Sequence, residues 1–202
     1  MLIALILAAT HWLVVREDTV KPPLLTQYAK AAKDRQGMTI ALNNLHYLTM
    51  ADVDSIDAAN AIAQQWFAAD AIESRSVAIW RLRPDLSYEP DHPRLKREEE
   101  GFIHFDVYAF LPGHQAEAEA LTKEFVAIDR DAGVKHRWEI YEVVIGSDMP
   151  AFVHVTAART RGDFEAEKVA ADALRSNRDM PLRIRDTDIL RHMASFEGTI
   201  RR

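Results

Sequence analysis

The sequence predicts an α+β fold: two β-α-β-β-α-β halves in tandem, closing on each other as a pseudo-dimer. Three observations carry this. Segments with the two-residue period of strands alternate with segments of helical period along the whole chain. The element order of residues 11–88 recurs in residues 102–202. Between them, residues 89–101 (EPDHPRLKREEEG) hold two prolines and a charge cluster with no apolar face, which marks a linker.

The first half opens with residues 11–17 (HWLVVRE), aromatic and β-branched, read as a strand. Pro22 and Pro23 suit a first helical turn, where an N–H would be unpaired anyway. Leu24, Leu25, Tyr28, Ala31 and Ala32 then share one helical face, and Gly37 is placed to end it. Residues 38–42 and 45–50 around Asn43-Asn44 predict a hairpin, because Asn tolerates the positive φ of a tight turn. Ser55 caps a second helix with Ala59, Ile62, Ala63 and Trp66 as its buried stripe, and residues 76–82 (SVAIWRL) form the closing strand.

The second half repeats the order. Residues 102–111 (FIHFDVYAFL) read as a strand, and Pro112-Gly113 as a turn. A helix follows with Ala118, Leu121, Phe125 and Ile128 on one face, ended by Gly133. Residues 137–145 and 151–157 are strands joined by residues 146–150. Asp163 is read as the cap of a helix that buries Ala166, Val169, Ala170, Ala173 and Leu174. A short helix at residues 188–193 leads to a last strand at 196–201. Pro22 matches Pro112, and residues 74–79 match residues 195–200.

Composition narrows function more by exclusion than by assignment. With 202 residues the chain buries a sizeable core. A net charge of −6 and no basic run argue against nucleic acid, whose binding rests on Lys and Arg neutralising phosphates. The absence of Cys removes disulfides, thiolate nucleophiles and Cys-type metal sites. There is no Gly-x-Ser-x-Gly elbow and no Gly-rich phosphate loop, and Ser55, Ser147 and Ser195 read as turn and cap residues. Residues 2–9 form an apolar run too short to span a bilayer, so no transmembrane segment is expected. Three readings of that run stand side by side: a signal peptide that starts upstream, a minimal signal, or an element leading into Trp12. The first two make the protein periplasmic or secreted, the third cytoplasmic.

The strand, the Pro-Gly turn and the Glu- and Ala-rich helix of residues 111–117 (LPGHQAE), followed by a hairpin and a helix, resemble the dimeric α/β-barrel, ferredoxin-like superfamily. Antibiotic-biosynthesis monooxygenase-like and NIPSNAP-like domains belong there. The phrase at residues 83–88 (RPDLSY) is similar to what closes such halves in tandem bacterial proteins of this kind. The resemblance covers most of the chain from His11 onward. It implies two sheets packed into a barrel with helices outside, and a cavity inside that takes a small, often aromatic or haem-like molecule. It carries no catalytic signature over to individual residues, because members of this fold do unrelated chemistry or none.

Strand alternation supplies the candidate site. On residues 102–111 one face reads Ile103, Phe105, Val107 and Ala109, expected to pack under helices. The other reads Phe102, His104, Asp106, Tyr108 and Phe110, expected to line the barrel. On residues 151–157 the same split sets Val153 and Val155 against Phe152, His154 and Thr156. The two strands are expected to be antiparallel neighbours, so His104, Asp106, Tyr108 and His154 share one surface, with Glu139 and Tyr141 as further candidates. A His acting as acid or base, steered by Asp106 beside the Tyr108 hydroxyl, is the catalytic reading. A hydrogen-bonded contact between the sheets is the structural one. No cofactor and no metal are expected: the eight His are scattered without a ligand motif, and His104, His154 and Asp106 need a third strand to converge on an ion. His46 and Tyr47 on the first hairpin either face the cavity or, in the preferred reading, are exposed residues of an edge strand. Two functions therefore stand: binding or oxidation of a small aromatic or hydrophobic molecule in a cavity between the sheets, or a non-catalytic structural or interaction module. Whether the chain is an enzyme, and whether it is a monomer or a homodimer, stays open.

Overall fold

A computed structural model describes residues 11–33, 37–65, 68–147 and 149–201. The apolar run at residues 2–9 and the Trp66 position lie outside the described residues. The first elements in chain order are β1 (Trp12–Val20), α1 (Leu25–Lys33), β2 (Met38–Ala41), β3 (His46–Val53), α2 (Ile56–Ala63) and β4 (Ile72–Leu82). After a connection come β5 (Phe102–Phe110), α3 (Gln115–Ala132), β6 (Trp138–Ile145), β7 (Ala151–Ala158), α4 (Arg161–Arg175), α5 (Met180–Ile189) and β8 (Leu190–Arg201). The strands close into one barrel in the order β1-β3-β2-β8-β5-β7-β6-β4, and every ladder is antiparallel. Two seams join the first four strands to the last four. One is β2–β8, pairing Ile40 with Ile200, and the other is β4–β6, pairing Trp80 with Val143.

Local signals set the element ends. Ser55 begins α2 by accepting a hydrogen bond from the Ala58 N–H at 3.1 Å. Gly133 ends α3 at φ 68°, a backbone conformation that costs glycine little. The cap of α4 is Thr160, which accepts from the Asp163 N–H at 3.1 Å, not Asp163 itself. The expected helix at residues 188–193 is the end of α5 followed by strand β8, which starts at Leu190.

The barrel interior is an apolar core. Each strand gives alternate side chains to it: Leu13 and Val15 from β1, Ile40 from β2, Leu48 and Met50 from β3, Trp80 from β4, and Ile103 and Phe105 from β5. Tyr141 and Val143 from β6, Val153 and Val155 from β7, and Ile200 from β8 complete the ring. Trp80 lies 6.3 Å from Phe105 and 6.2 Å from Tyr141, ring centre to ring centre. This inverts the expected faces. Ile103, Phe105 and Ala109 point into the barrel, while Phe102, His104, Asp106, Tyr108 and Phe110 point outward beneath helices. The reason is closure: a closed ring of eight strands shuts its interior from water, so the most apolar alternation belongs inside. A cavity between the sheets is therefore not what these four candidates line.

The outward faces of the two strand groups are filled differently. Under α1 and α2, β1 buries Arg16 and Asp18. The Arg16 guanidinium donates to the Ile62 carbonyl, and Asp18, fully buried, accepts from Tyr28 Oη at 3.0 Å and from Arg75 at 2.5 and 2.8 Å. Trp12 packs there with Val14 and Ile79 against α2. Under α3, α4 and α5, the β5–β8 face carries an apolar cluster that includes Leu121, Trp138, Ile140, Phe152 and Leu182. Helix α4 also turns opposite to expectation. It buries Phe164 and Ala171, and leaves Val169 70% and Leu174 47% exposed.

Candidate functional site

Strand register assembles the candidate residues. Asp106 on β5 stands opposite His154 on β7 and opposite Ser195 on β8, and His104 stands opposite Glu197. Side chains on one face of neighbouring strands are within reach of one another. Asp106 accordingly bonds His104 Nε2 at 3.1 Å, accepts a hydrogen bond from Ser195 Oγ, and lies 3.8 Å from His154 Nδ1. Burial alone would raise the Asp106 pKa. The hydrogen bonds with His104 and Ser195, with the His154 ring close by, outweigh it and hold the carboxyl well below the usual carboxylate range. Asp106 is therefore a fixed anion at the centre of the face.

The two histidines differ in what they leave open. His104 spends Nε2 on Asp106, and its Nδ1 is buried 3.9 Å from Glu197. Its ring stacks on Phe164 of α4, with centres 4.6 Å apart. His154 leans Nδ1 toward Asp106 and packs against Trp138, 5.0 Å between ring centres. Its Nε2 has no protein partner among the described residues. An imidazole with one nitrogen facing a carboxylate and the other open has the arrangement of a general base. Tyr108 makes no hydrogen bond among the described residues, and burial, with Asp106 and Asp186 nearby, raises its pKa far above the ordinary phenol value. Glu139 and Tyr141 do not join this group. They bond each other at 2.7 Å on the inward face of β6.

These residues floor a cavity of about 520 Å³ between the β5–β8 face and helices α3, α4 and α5. Phe110, Trp138, Phe152 and Phe164 supply much of its apolar wall, and Leu121 and Phe125 its roof from α3. One end is fixed by Asp129, 1% exposed, which accepts from Trp138 Nε1 at 2.8 Å and from Arg175 at 2.6 and 2.9 Å. His136 also lines the cavity. Burial first, then the nearby Arg175 charge, pushes its pKa down to about 4, so it is a neutral ring at pH 7. Opposite the sheet, Asp186 of α5 faces the cavity, and burial pushes its pKa up to about 6. Aromatic walls around a few convergent polar groups are the usual form of a small-molecule site. Among the described residues no set of three or more His, Asp or Glu side chains is arranged to hold a metal ion, and no helix is long and apolar enough to cross a membrane.

Sequence reasoning missed Ser195, His136 and Asp186. Ser195 was expected in a turn but sits in β8. A strand beginning at Leu190 puts it on the same face as Met193, which pairs with Tyr108, and directly opposite Asp106. His136 lies just before β6 and Asp186 on a helix that the sequence pattern placed later, so neither carried a positional signal.

No family model matches the chain, and no curated protein matches it by sequence. Its structure is similar to several solved ones. A candidate monooxygenase from Fusobacterium nucleatum subsp. nucleatum matches with a TM-score of 0.62 at 10% identity, over 96% of this chain and 93% of that one. An anthrone oxidase-like protein matches with a TM-score of 0.64 at 11% identity, over 95% and 92%. Chlorite dismutase from Candidatus Nitrospira defluvii matches with a TM-score of 0.59 at 9% identity, over 96% and 92%. At such identities the likeness is one of fold: an α+β architecture with eight antiparallel strands and helices outside, of the ferredoxin-like kind.

Proposed function

We propose that this chain binds a small aromatic or hydrophobic molecule in the cavity between the β5–β8 face and helices α3–α5, and oxidises it there. The observation that carries the reading is the cavity itself: about 520 Å³, walled by aromatic rings, with one carboxylate-centred His-Asp-His-Ser cluster on its floor. His154 is the base in this reading. Asp106 orients it and stabilises the imidazolium, His104 and Ser195 hold Asp106, and Tyr108 donates a hydrogen bond to the ligand. The step suited to such a site is removal of a proton from a carbon conjugated with a carbonyl through the aromatic rings. The electron-rich anion then reacts with dioxygen. Anthrone is a suitable probe because its methylene is acidified in this way, and one anthrone and one dioxygen give one anthraquinone and one water. The likeness to an anthrone oxidase-like protein supports the choice of probe.

The strand orders support a finer reading of the fold: β4-β1-β3-β2 and β8-β5-β7-β6 are the same order four strands apart. We read residues 11–88 and 102–202 as two ferredoxin-like repeats joined by residues 89–101. The cavity described above lies under the helices of the second.

The test is oxygen uptake and anthraquinone absorbance with anthrone at pH 7.5, against the buffer rate. Turnover that falls at least roughly a hundredfold in His154→Ala, as expected when a general base is lost, supports the proposal. A rate equal to buffer, or one indifferent to His154→Ala and Asp106→Asn, refutes it and leaves the polar cluster a structural one.

A further inference from the structure

We propose that the ligand of this cavity carries a protonated amine on its aromatic body, and that Asp186 is the carboxylate that holds the amine. The proposal rests on the reading of the cavity as a small-molecule site and adds the charge of the occupant.

The argument is one of partners. Asp129 is paired with Arg175, and Glu167 is paired with Arg94. Asp172 lies 3.1 Å from Arg175 and 3.4 Å from Arg183. Asp106 has its histidines and Ser195. Of the carboxylates lining the cavity, Asp186 stands apart: it has neither a cation nor a hydrogen-bond donor among the described residues. The groups packed around it do not change this. On its own helix, Arg183 turns to Asp179 at 2.7 Å, and Arg185 turns away to Glu124 on α3 at 3.1 Å. From α4, Arg175 is held by Asp129 and Asp172, and Lys168 is exposed and makes no ion pair with it. From β5 the facing group is the Tyr108 phenol, which senses the Asp186 charge.

A half-buried carboxylate without a countercharge is costly, and proteins pair such groups or keep them for a ligand. An ammonium group supplies the missing charge. The aromatic walls suit its organic body, and the faces of Tyr108 and Trp138 attract a cation where one is presented to them. Burial leaves Asp186 with a pKa of about 6, so it is an anion at pH 7.5 and largely protonated at pH 5. Amine affinity therefore rises with pH through about 6 and then levels off, until the amine itself loses its proton.

The test uses a matched pair, tryptamine and 3-ethylindole, which share the ring and differ in the amine. Titration calorimetry of the intact chain at pH 7.5 should show tryptamine binding roughly 10- to 100-fold more tightly, the usual worth of a hydrogen-bonded charge. Asp186→Asn should erase that preference while keeping 3-ethylindole binding, and the exposed Asp188→Asn on the same helix should leave it intact. Equal binding of both compounds by the wild type overturns the amine assignment and leaves the small-molecule reading standing. A preference that survives Asp186→Asn overturns the role of Asp186. Binding of neither compound overturns the amine assignment and counts against the cavity as a site for aromatic ligands, which the anthrone assay then decides separately. Circular dichroism of each variant shows that the fold is retained.

Discussion

Replacing Asp186 with Asn should make the protein more stable, and only at neutral and alkaline pH. The folded-state pKa of Asp186 is raised from 3.8 to about 6 by burial. At 1.36 kcal/mol per pKa unit, a shift of about two units sets a ceiling of about 3 kcal/mol on what its ionisation costs the native state. The side chain is half-buried, and water reaching it reduces this to about 1–2 kcal/mol. The folded value lies above the unfolded one. The cost is therefore absent below about pH 4, where both states hold the proton, grows between about pH 4 and 6, and is complete above 6. Asn keeps the shape and removes the charge. Urea unfolding at pH 8 and at pH 3 should give a variant more stable by about 1–2 kcal/mol at the higher pH, with the difference vanishing at the lower. A variant equally stabilised at both pH values, or destabilised at pH 8, refutes the view of Asp186 as an unpaired, desolvated carboxylate.

Asp129→Asn breaks a buried ion pair and the bond from Trp138 at the end of the cavity, and should cost about 3–5 kcal/mol in denaturant unfolding. Asp106→Asn removes the anion that His104, His154 and Ser195 share, and should cost about 2–3 kcal/mol at pH 7. Because the folded-state pKa of Asp106 is depressed, that contribution is present above the unfolded value and is lost as pH falls through the folded one. The gap between wild type and Asp106→Asn should therefore narrow in strong acid, as followed by unfolding midpoints. Gly198→Ala places a Cβ 2.4 Å from Ile40 Cγ2 and 2.8 Å from the Ala41 carbonyl oxygen. Overpacking of that kind should lower stability by about 1–3 kcal/mol in calorimetric melting.

The separation of faces on β5 was legible in the sequence; their direction was not. Alternation sorts Ile103, Phe105, Val107 and Ala109 from His104, Asp106 and Tyr108, but it says nothing about whether the sheet closes on its apolar side. Closure depends on pairing β2 with β8, residues some 160 apart in the chain, which no local pattern encodes. Helix α4 shows a second limit. Ala166, Val169, Ala170, Ala173 and Leu174 fall at helical spacing and read as a buried stripe, yet the helix turns Glu167, Asp172 and Arg175 to the cavity. Those charges are tolerated there because their partners, Arg94 for Glu167 and Asp129 for Arg175, come from distant segments. A charged helix face reads as solvated until its partners are located. Ser195 was misplaced for a simpler reason: Leu190 to Ser195 mixes polar and apolar residues without period, and its strand state comes from pairing with β5.

The two seams of the barrel bear on how the protein can go wrong. Each group of four strands ends in strands whose outer hydrogen-bonding groups are satisfied only by the other group. The β2–β8 seam is short, with Thr39, Ile40 and Ala41 its paired residues on β2. If that seam parts, β2 and β8 become open templates, and a second molecule carries the matching strands. Two chains can then exchange halves, each completing its ring with the neighbour's strands. Weakening the Gly198 contact therefore favours interlocked dimers over loose monomers at high concentration. The connection between β4 and β5 would act as the hinge in that exchange, and its length would set how readily it happens.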